Sequence, residues 1–202
     1  MDSDKLILVY ELFMQYGIKS LTMDDVARKL RISKKTLYTM VKDKGDLVSQ
    51  CINHFINDTT CFIQDKASPT ENAIDQLTTI TKHVLTQMNN FHPSVMYDLE
   101  KFHPESLAII DEFKSKVIYN ILLVNLEKGI EQGLYRENLN KSLILNLYFT
   151  VVDSIMLNQF KYKLNNEMSF KEAYIEFLRY HVRGIASEKG ITHLSKTINH
   201  IN

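Results

Sequence analysis

Residues 22–38 read Thr22-Met-Asp-Asp-Val-Ala-Arg-Lys-Leu-Arg-Ile-Ser-Lys-Lys-Thr-Leu-Tyr38, and a few residues further on the chain reads Lys44-Gly-Asp-Leu47. Met23, Val26, Ala27 and Leu30 stand at i, i+3, i+4 and i+7, which is one apolar face of a helix. Thr22 is placed to cap that helix, and Asp24 and Asp25 lie where its positive end favours a carboxylate. Ser33 is placed to cap a second helix, whose Leu37, Met40 and Val41 form a single inward stripe. Two short helices separated by Arg31-Ile32-Ser33, each with one buried face and with bases between them, have the sequence form of a helix-turn-helix. With Leu37 set to zero and each residue advancing by about 100°, Lys35 falls near 160° and Thr39 near 200°, opposite the core. Tyr38 at about 100° and Lys42 at about 140° take one flank, and Thr36 at about 260° takes the other.

Charge singles out the same stretch. The whole chain is neutral, with 24 Lys and Arg against 24 Asp and Glu, yet seven bases and one acid between Arg28 and Lys44 give that stretch a net +6 and leave the remainder at −6. A basic island on an acidic remainder is the form of a short nucleic-acid footprint, although a solvated lysine-rich helix face has the same composition. The ammonium groups of Lys34, Lys42 and Lys44 and the hydroxyl of Tyr38 are suitable donors to phosphate oxygens. Lys35, Thr36 and Thr39 are suited to base edges or thymine methyls.

This stretch, gapless in its spacing, resembles the N-terminal domain of TetR-type (tetracycline-repressor-like) transcriptional regulators. The resemblance implies that Thr22, Tyr38 and Lys44 contact DNA phosphates. It also implies a homodimer on double-stranded DNA and a helical body that answers a small-molecule effector, with repression as the expected outcome. Two positions depart from the family pattern: Lys35 stands where a small residue is usual, and Val41 where an aromatic is usual. A long donor at Lys35 means that no operator sequence can be carried over. The likeness covers about 45 residues; beyond them only the helical layout and Gly129-Ile-Glu-Gln-Gly133-Leu-Tyr-Arg are similar.

Outside the headpiece the chain still reads as all-α. Six Gly and three Pro in 202 residues are too few for the turns of a sandwich or barrel, and no strand-length alternation persists. The signatures G-x-G-x-x-G, G-K-[ST], H-E-x-x-H and G-x-S-x-G are absent, which lowers the expectation of an enzyme, and no cofactor is expected. Residues 4–16 are apolar on nearly every side and end at Gly17, a fourth helix is expected from Lys44 to about Lys66, and the box Ser68-Pro69-Thr70-Glu71 predicts a helix from 69 to about 90. Pro93 and Pro104 isolate a short piece, 94–102, before a long helix to Gly133. Helices over 141–163 and, behind the box Ser169-Phe-Lys-Glu172, over 169–187 complete the reading. The expected division is a headpiece at 1–46 and an effector-binding and dimerisation domain at 47–202. The acidic start Met-Asp-Ser-Asp and the lack of a long apolar run lead to the expectation of a cytoplasmic protein with no membrane span.

Several side chains in the body call for a role. A pocket between the helices near 69–90, 105–132 and 141–163, with 94–102 as its mobile wall, is expected to use His83, Phe91, Tyr97, Phe102, Tyr119, Phe149 and Met156. The same aromatic spacing also fits plain core, and histidines beside prolines also fit helix ends. Asp153 interrupts an apolar helix and needs a partner, either a neighbouring side chain or a ligand. Helix 141–163 is apolar on two faces, so Val151, Ile155, Tyr174, Phe177 and Leu178 are expected at a symmetric four-helix dimer interface, the alternative being a monomer with a thick core. Cys51, His54, Asp58 and Cys61 share one face of the fourth helix, but ligands strung along a straight helix cannot all reach one ion, so no metal site is expected. The reading from another class is a helical binding protein that acts through a protein partner without specific DNA binding.

Overall fold

The computed structural model of the protein describes residues 1–66, 71–88, 91–157 and 168–197. Their regular structure is helical: α1 (Ser3–Tyr16), α2 (Met23–Lys29), α3 (Lys34–Met40), α4 (Lys44–Lys66), α5 (Ala73–Gln87), α6 (Ser94–Phe102), α7 (Pro104–Phe113), a π-helical turn (Lys114–Ile118), α8 (Tyr119–Glu131), α9 (Lys141–Met156), α10 (Phe170–Ile185) and α11 (Glu188–Thr197). The all-α class read from Gly and Pro scarcity is therefore the one observed. Among the described residues the only β-type pairing is an isolated bridge between Tyr135 and Ala186. No described helix is long and apolar enough to cross a membrane.

Several boundaries follow from named caps. Thr22 and Ser169 each complete a reciprocal capping box, with Asp25 and Glu172, and Ser33 caps α3 by accepting the N–H of Thr36. The start of α5 differs from expectation. Asn72 caps it by accepting the Asp75 N–H, so the helix begins at Ala73, while Ser68, Pro69 and Thr70 of the expected box lie outside the described residues. The long helix after Pro104 is not uniform either, since a π turn over 114–118 interrupts it. In α1, Ile7 and Leu8 are exposed, so that helix is less enclosed than its composition suggests.

The chain packs as two compact units, residues 1–61 with 90–114, and residues 62–89 with 115–202. This differs from a cut at 46/47, because α6 and α7 return to pack with the headpiece helices and α4 contributes to both units. In the first unit Tyr10 of α1 stacks on Phe55 of α4 at 5.2 Å, and Ser49 of α4 shares a hydrogen bond of 2.8 Å with Ser106 of α7. The segment 94–102 is accordingly not the mobile wall of a pocket in the body. Val95, Met96, Asp98 and Leu99 of α6 are buried in the first unit.

The second unit is built on Ile74, Leu77, Leu126, Tyr135, Leu145, Tyr148, Tyr174, Leu178 and Val182. The Gly129–Arg136 stretch turns α8 back onto this core. The N–H groups of Leu134 and Tyr135 both donate to Gly129 O, at 2.8 and 3.0 Å, and a Cβ on Gly129 would lie 2.1 Å from the Tyr135 ring. Only glycine leaves room for that ring, which is why a glycine stands in the last turn of α8. A cavity of about 20 Å³, room for a single water, lies among residues that include Ile74, Leu77, Leu178, Val182 and Leu194. None of the expected effector residues lines it.

Ile155, Tyr174 and Leu178, expected at a dimer interface, are buried within the single chain, and the Tyr148 and Tyr174 hydroxyls share a hydrogen bond of 2.7 Å. They are core residues of α9 and α10. His181 lies against this pair, its ring 5.3 Å from Tyr148 and 5.4 Å from Phe177, and burial lowers its pKa to about 4. The imidazole is therefore held neutral. Between pH 6.5, near the unfolded value, and pH 4 the unfolded chain binds the extra proton, so stability falls as pH falls through that window, by about 3 kcal/mol in all. His181→Phe is expected to flatten the fall in urea midpoint between pH 7 and pH 5 relative to the parent protein. Equal slopes for the two proteins would show that His181 does not govern this window.

Candidate nucleic-acid interface

α2 and α3 pack as a pair, and the turn between them closes in an unusual way. Ile32 N–H donates to Ala27 O at 3.0 Å and Arg31 N–H to Arg28 O at 3.1 Å, which requires Arg31 to take a left-handed φ of 56°. That conformation costs a residue with a Cβ roughly 1–2 kcal/mol, and glycine is the usual occupant. Because Arg31 is not glycine, the sequence carries no mark of this conformation.

α3 presents the face expected of it. Leu37 and Val41 are buried, whereas Lys35, Thr36, Tyr38, Thr39 and Lys42 are exposed. The Lys35 ammonium and the Tyr38 hydroxyl hydrogen-bond to nothing among the described residues. The Thr36 and Ser33 hydroxyls lie 2.8 Å apart, and Thr39 Oγ1 donates to Thr36 O at 2.6 Å. Those threonines keep their methyl groups and spare lone pairs for a partner.

The other expected contacts are engaged within the chain. Lys34 Nζ pairs with Asp24 at 3.0 Å on the surface, and that hydrogen bond raises the lysine pKa. The Thr22 hydroxyl donates to Asp25 Oδ2 at 2.6 Å and accepts the Asp25 N–H at 3.1 Å, and the first of these bonds holds the Asp25 carboxyl below the usual carboxylate range. To donate to a phosphate, Thr22 must release Asp25. Lys44 is half-buried and donates to Leu21 O at 2.5 Å and Lys19 O at 3.4 Å, which leaves one of its three donors. Burial lowers its pKa, against the opposing pull of Asp98 and Asp25.

Sequence reasoning missed how the turn before α2 is held. Lys19 N–H donates to Asp98 Oδ2 at 2.8 Å, and His92 N–H to Met14 O at 2.7 Å. The approach is close enough that a Cβ on Gly17, which has φ 81°, would lie 2.4 Å from Ser94 Oγ. A sequence signal was present in Asp98, a carboxylate among the apolar Val95, Met96 and Leu99, but it has meaning only once its partner is known.

The expected effector residues divide between the units. Phe91, Tyr97 and Phe102 belong to the first, with Tyr97 and Phe102 exposed, while His83, Tyr119, Phe149, Asp153 and Met156 belong to the second. There His83 stacks on Phe62 at 3.8 Å and Tyr119 on Phe149 at 6.3 Å. On α4, Cys51 is buried, its thiol pushed up to about 12 by desolvation, while Cys61 is exposed. Among the described residues no three His, Cys, Asp or Glu side chains come together as a metal site.

A helix-turn-helix with an exposed cationic second helix, carried on an all-helical chain, has the form of a DNA-binding headpiece joined to a helical body. Residues 10–51 match the family described as bacterial regulatory proteins, tetR family. Solved structures agree over nearly the whole chain. A TetR-family transcriptional regulator from Agrobacterium tumefaciens is similar at TM-score 0.70 and 15% identity, over 91% of this chain and 97% of its own. A transcriptional regulator from Cytophaga hutchinsonii is similar at TM-score 0.66 and 17% identity, over 91% and 97%. The ketosteroid transcriptional regulator KstR2 of Mycobacterium tuberculosis is similar at TM-score 0.59 and 18% identity, over 92% and 94%. No curated protein sequence matches the chain. Residues 10–51 thus match this family's DNA-binding domain, and the described chain shares the fold of these solved regulators.

The strain at Arg31 yields a test of the turn. Arg31→Gly is expected to raise stability by about 0.5–1 kcal/mol, the relieved strain less the extra freedom of glycine in the unfolded chain. The measurement is the urea midpoint at unchanged m. A lower midpoint would mean that the arginine side chain contributes more than its backbone costs.

Proposed function

We propose that the chain is a homodimeric repressor that reads an inverted-repeat operator through α3 and is released by a small, mainly apolar effector. The observation that carries the DNA reading is the outer face of α3, where Lys35, Tyr38, Thr39 and Lys42 are exposed and the Lys35 and Tyr38 polar groups form no hydrogen bond among the described residues. Lys35, Thr36 and Thr39 meet base edges, and Tyr38, Lys42, Thr22, Lys34 and Lys44 meet phosphates. The Lys34–Asp24 pair is exposed on both sides, so exchanging its carboxylate for a phosphate costs little. Duplex DNA from immediately upstream of the coding sequence serves as the probe in a mobility-shift titration. Tyr38→Phe should weaken binding equally on every operator variant, whereas Lys35→Ala should change the ranking among variants, by about 1–3 kcal/mol for a good base contact. Unchanged affinity and ranking in both would remove α3 as the reading helix.

Dimerisation through α9 and α10 is supported by the faces those helices leave uncovered. Leu143 and Leu147 of α9 are 53% and 51% exposed, and Tyr180 of α10 is 79% exposed. Val151 and Phe177 are half-buried beside them, and nothing lies within 4 Å of a Cβ placed on Gly184. Two such faces related by a two-fold axis form a four-helix interface, and two-fold protein symmetry calls for an inverted repeat in the DNA. Leu147→Asp and Tyr180→Asp should each yield folded monomers in sedimentation and lose tight operator binding. Intact dimers for both would place the interface elsewhere. Leu178→Asp is no test, because it buries a charge inside the single chain.

The effector reading is supported within the second unit by Phe149, Asp153 and Met156, which stand at i, i+4 and i+7 on α9, with Tyr119 stacked on Phe149. An apolar wall with one carboxylate beside it suits a mainly apolar ligand carrying a single donor group.

A further inference from the structure

We propose that Lys19 and Lys101, gathered around the ring of Phe102, form a second phosphate contact on duplex DNA, supplied jointly by the α1–α2 turn and by α6. This rests on the DNA-binding reading above and extends it to a helix outside the helix-turn-helix.

Three observations carry the proposal. Lys19 Nζ lies 4.6 Å from the centre of the Phe102 ring and Lys101 Nζ 5.7 Å from it, so two like charges share one exposed aromatic. Lys101 is further fixed by a hydrogen bond of 2.8 Å to Tyr97 Oη and by its position 5.3 Å from the Tyr97 ring. Neither lysine forms an ion pair among the described residues, although Glu100 and Glu105 are close in sequence and exposed. Aromatic faces thus hold the two cations in place without neutralising them, and their ammonium donors remain available for an anion.

The turn's place in the fold selects which anion. Lys19 stands three residues before Thr22, at most about 11 Å of chain, and the turn leads directly into α2. In a helix-turn-helix the second helix enters the groove while the first crosses the backbone. The entry to α2 therefore runs beside phosphates, and about 11 Å of DNA axis presents roughly three of them on each strand. The chain pins this turn on both sides, through Asp98 to Lys19 N–H and through Lys44 to Lys19 O, so the Lys19 side chain leaves from a fixed backbone. Contacts of this kind add affinity on every sequence and select none.

Duplex poly(dA-dT) is the probe, with affinity measured by fluorescence anisotropy across a salt series. Lys19→Gln and Lys101→Gln are each expected to lower the slope of log K against log salt by about one unit, so that the affinity lost between about 50 and 200 mM salt shrinks roughly 3.5-fold. Lys101→Arg keeps the charge and should keep the slope. Both positions are on the surface, and thermal unfolding checks that the fold is unchanged. If Lys42→Gln lowers the slope while both Lys19→Gln and Lys101→Gln leave it at the parent value, the second contact does not exist and the helix-turn-helix reading stands. A Lys101→Arg slope as low as that of Lys101→Gln also overturns the proposal. Absence of any salt-dependent binding by the parent protein defeats the DNA reading itself, and this proposal with it.

Discussion

The main chain of Lys19 has both of its polar groups satisfied by ions. Its N–H donates to the Asp98 carboxylate of α6 and its C=O accepts from the Lys44 ammonium of α4, which also holds Leu21 O. Hydrogen bonds to charged groups contribute about 1.5–3 kcal/mol each, more than neutral ones. The two ions also attract each other across the turn, since Asp98 works against the burial that lowers the Lys44 pKa. Asp98 is 3% exposed, a position a carboxylate takes only with partners. Three segments distant in sequence are thereby tied at the residue that precedes the helix-turn-helix. The entry angle of α2, and with it the direction of the α3 face, depends on this one knot.

This arrangement explains why α6 belongs with the headpiece. Pro93 and Pro104 end helical continuity on both sides of it, which is a statement about the backbone alone. Tertiary packing is decided by Val95, Met96 and Leu99, all buried, and by the Asp98 bond, none of which depends on whether the neighbouring residues are helical. A short helix with little stability of its own can still be firmly placed when its apolar face and its buried charge both have partners.

The sequence was most legible where structure is local. Thr22, Ser33 and the Ser169–Glu172 box act within three or four residues, and each caps the helix expected of it. The extent of α4 and the outward face of α3 were likewise readable from spacing. Charge was less legible than shape. The +6 island of residues 28–44 includes Lys34, which is paired, and Lys44, which is half-buried on carbonyls, so a sum over the sequence overstates the field that a phosphate meets. Conversely, Lys101 lies far outside the island, and nothing in its local sequence marks it as a neighbour of Lys19.

The hardest distinction for a sequence is which of two apolar faces a helix spends on its own chain. α9 was readable as apolar on two sides, and periodicity treats those sides alike. The choice is made by partners that spacing cannot name. Tyr148 turns toward α10 because its hydroxyl meets that of Tyr174, and this pairing takes the Leu145, Tyr148, Ile155 face inward with Leu178 beside it. Leu143 and Leu147 are then left facing outward together with Tyr180 of α10. An apolar residue buried in the single chain contributes to its stability whether or not a partner exists, whereas one left outside gains nothing until a second surface covers it. The outward set, not the inward one, is therefore where a free energy of association has to come from.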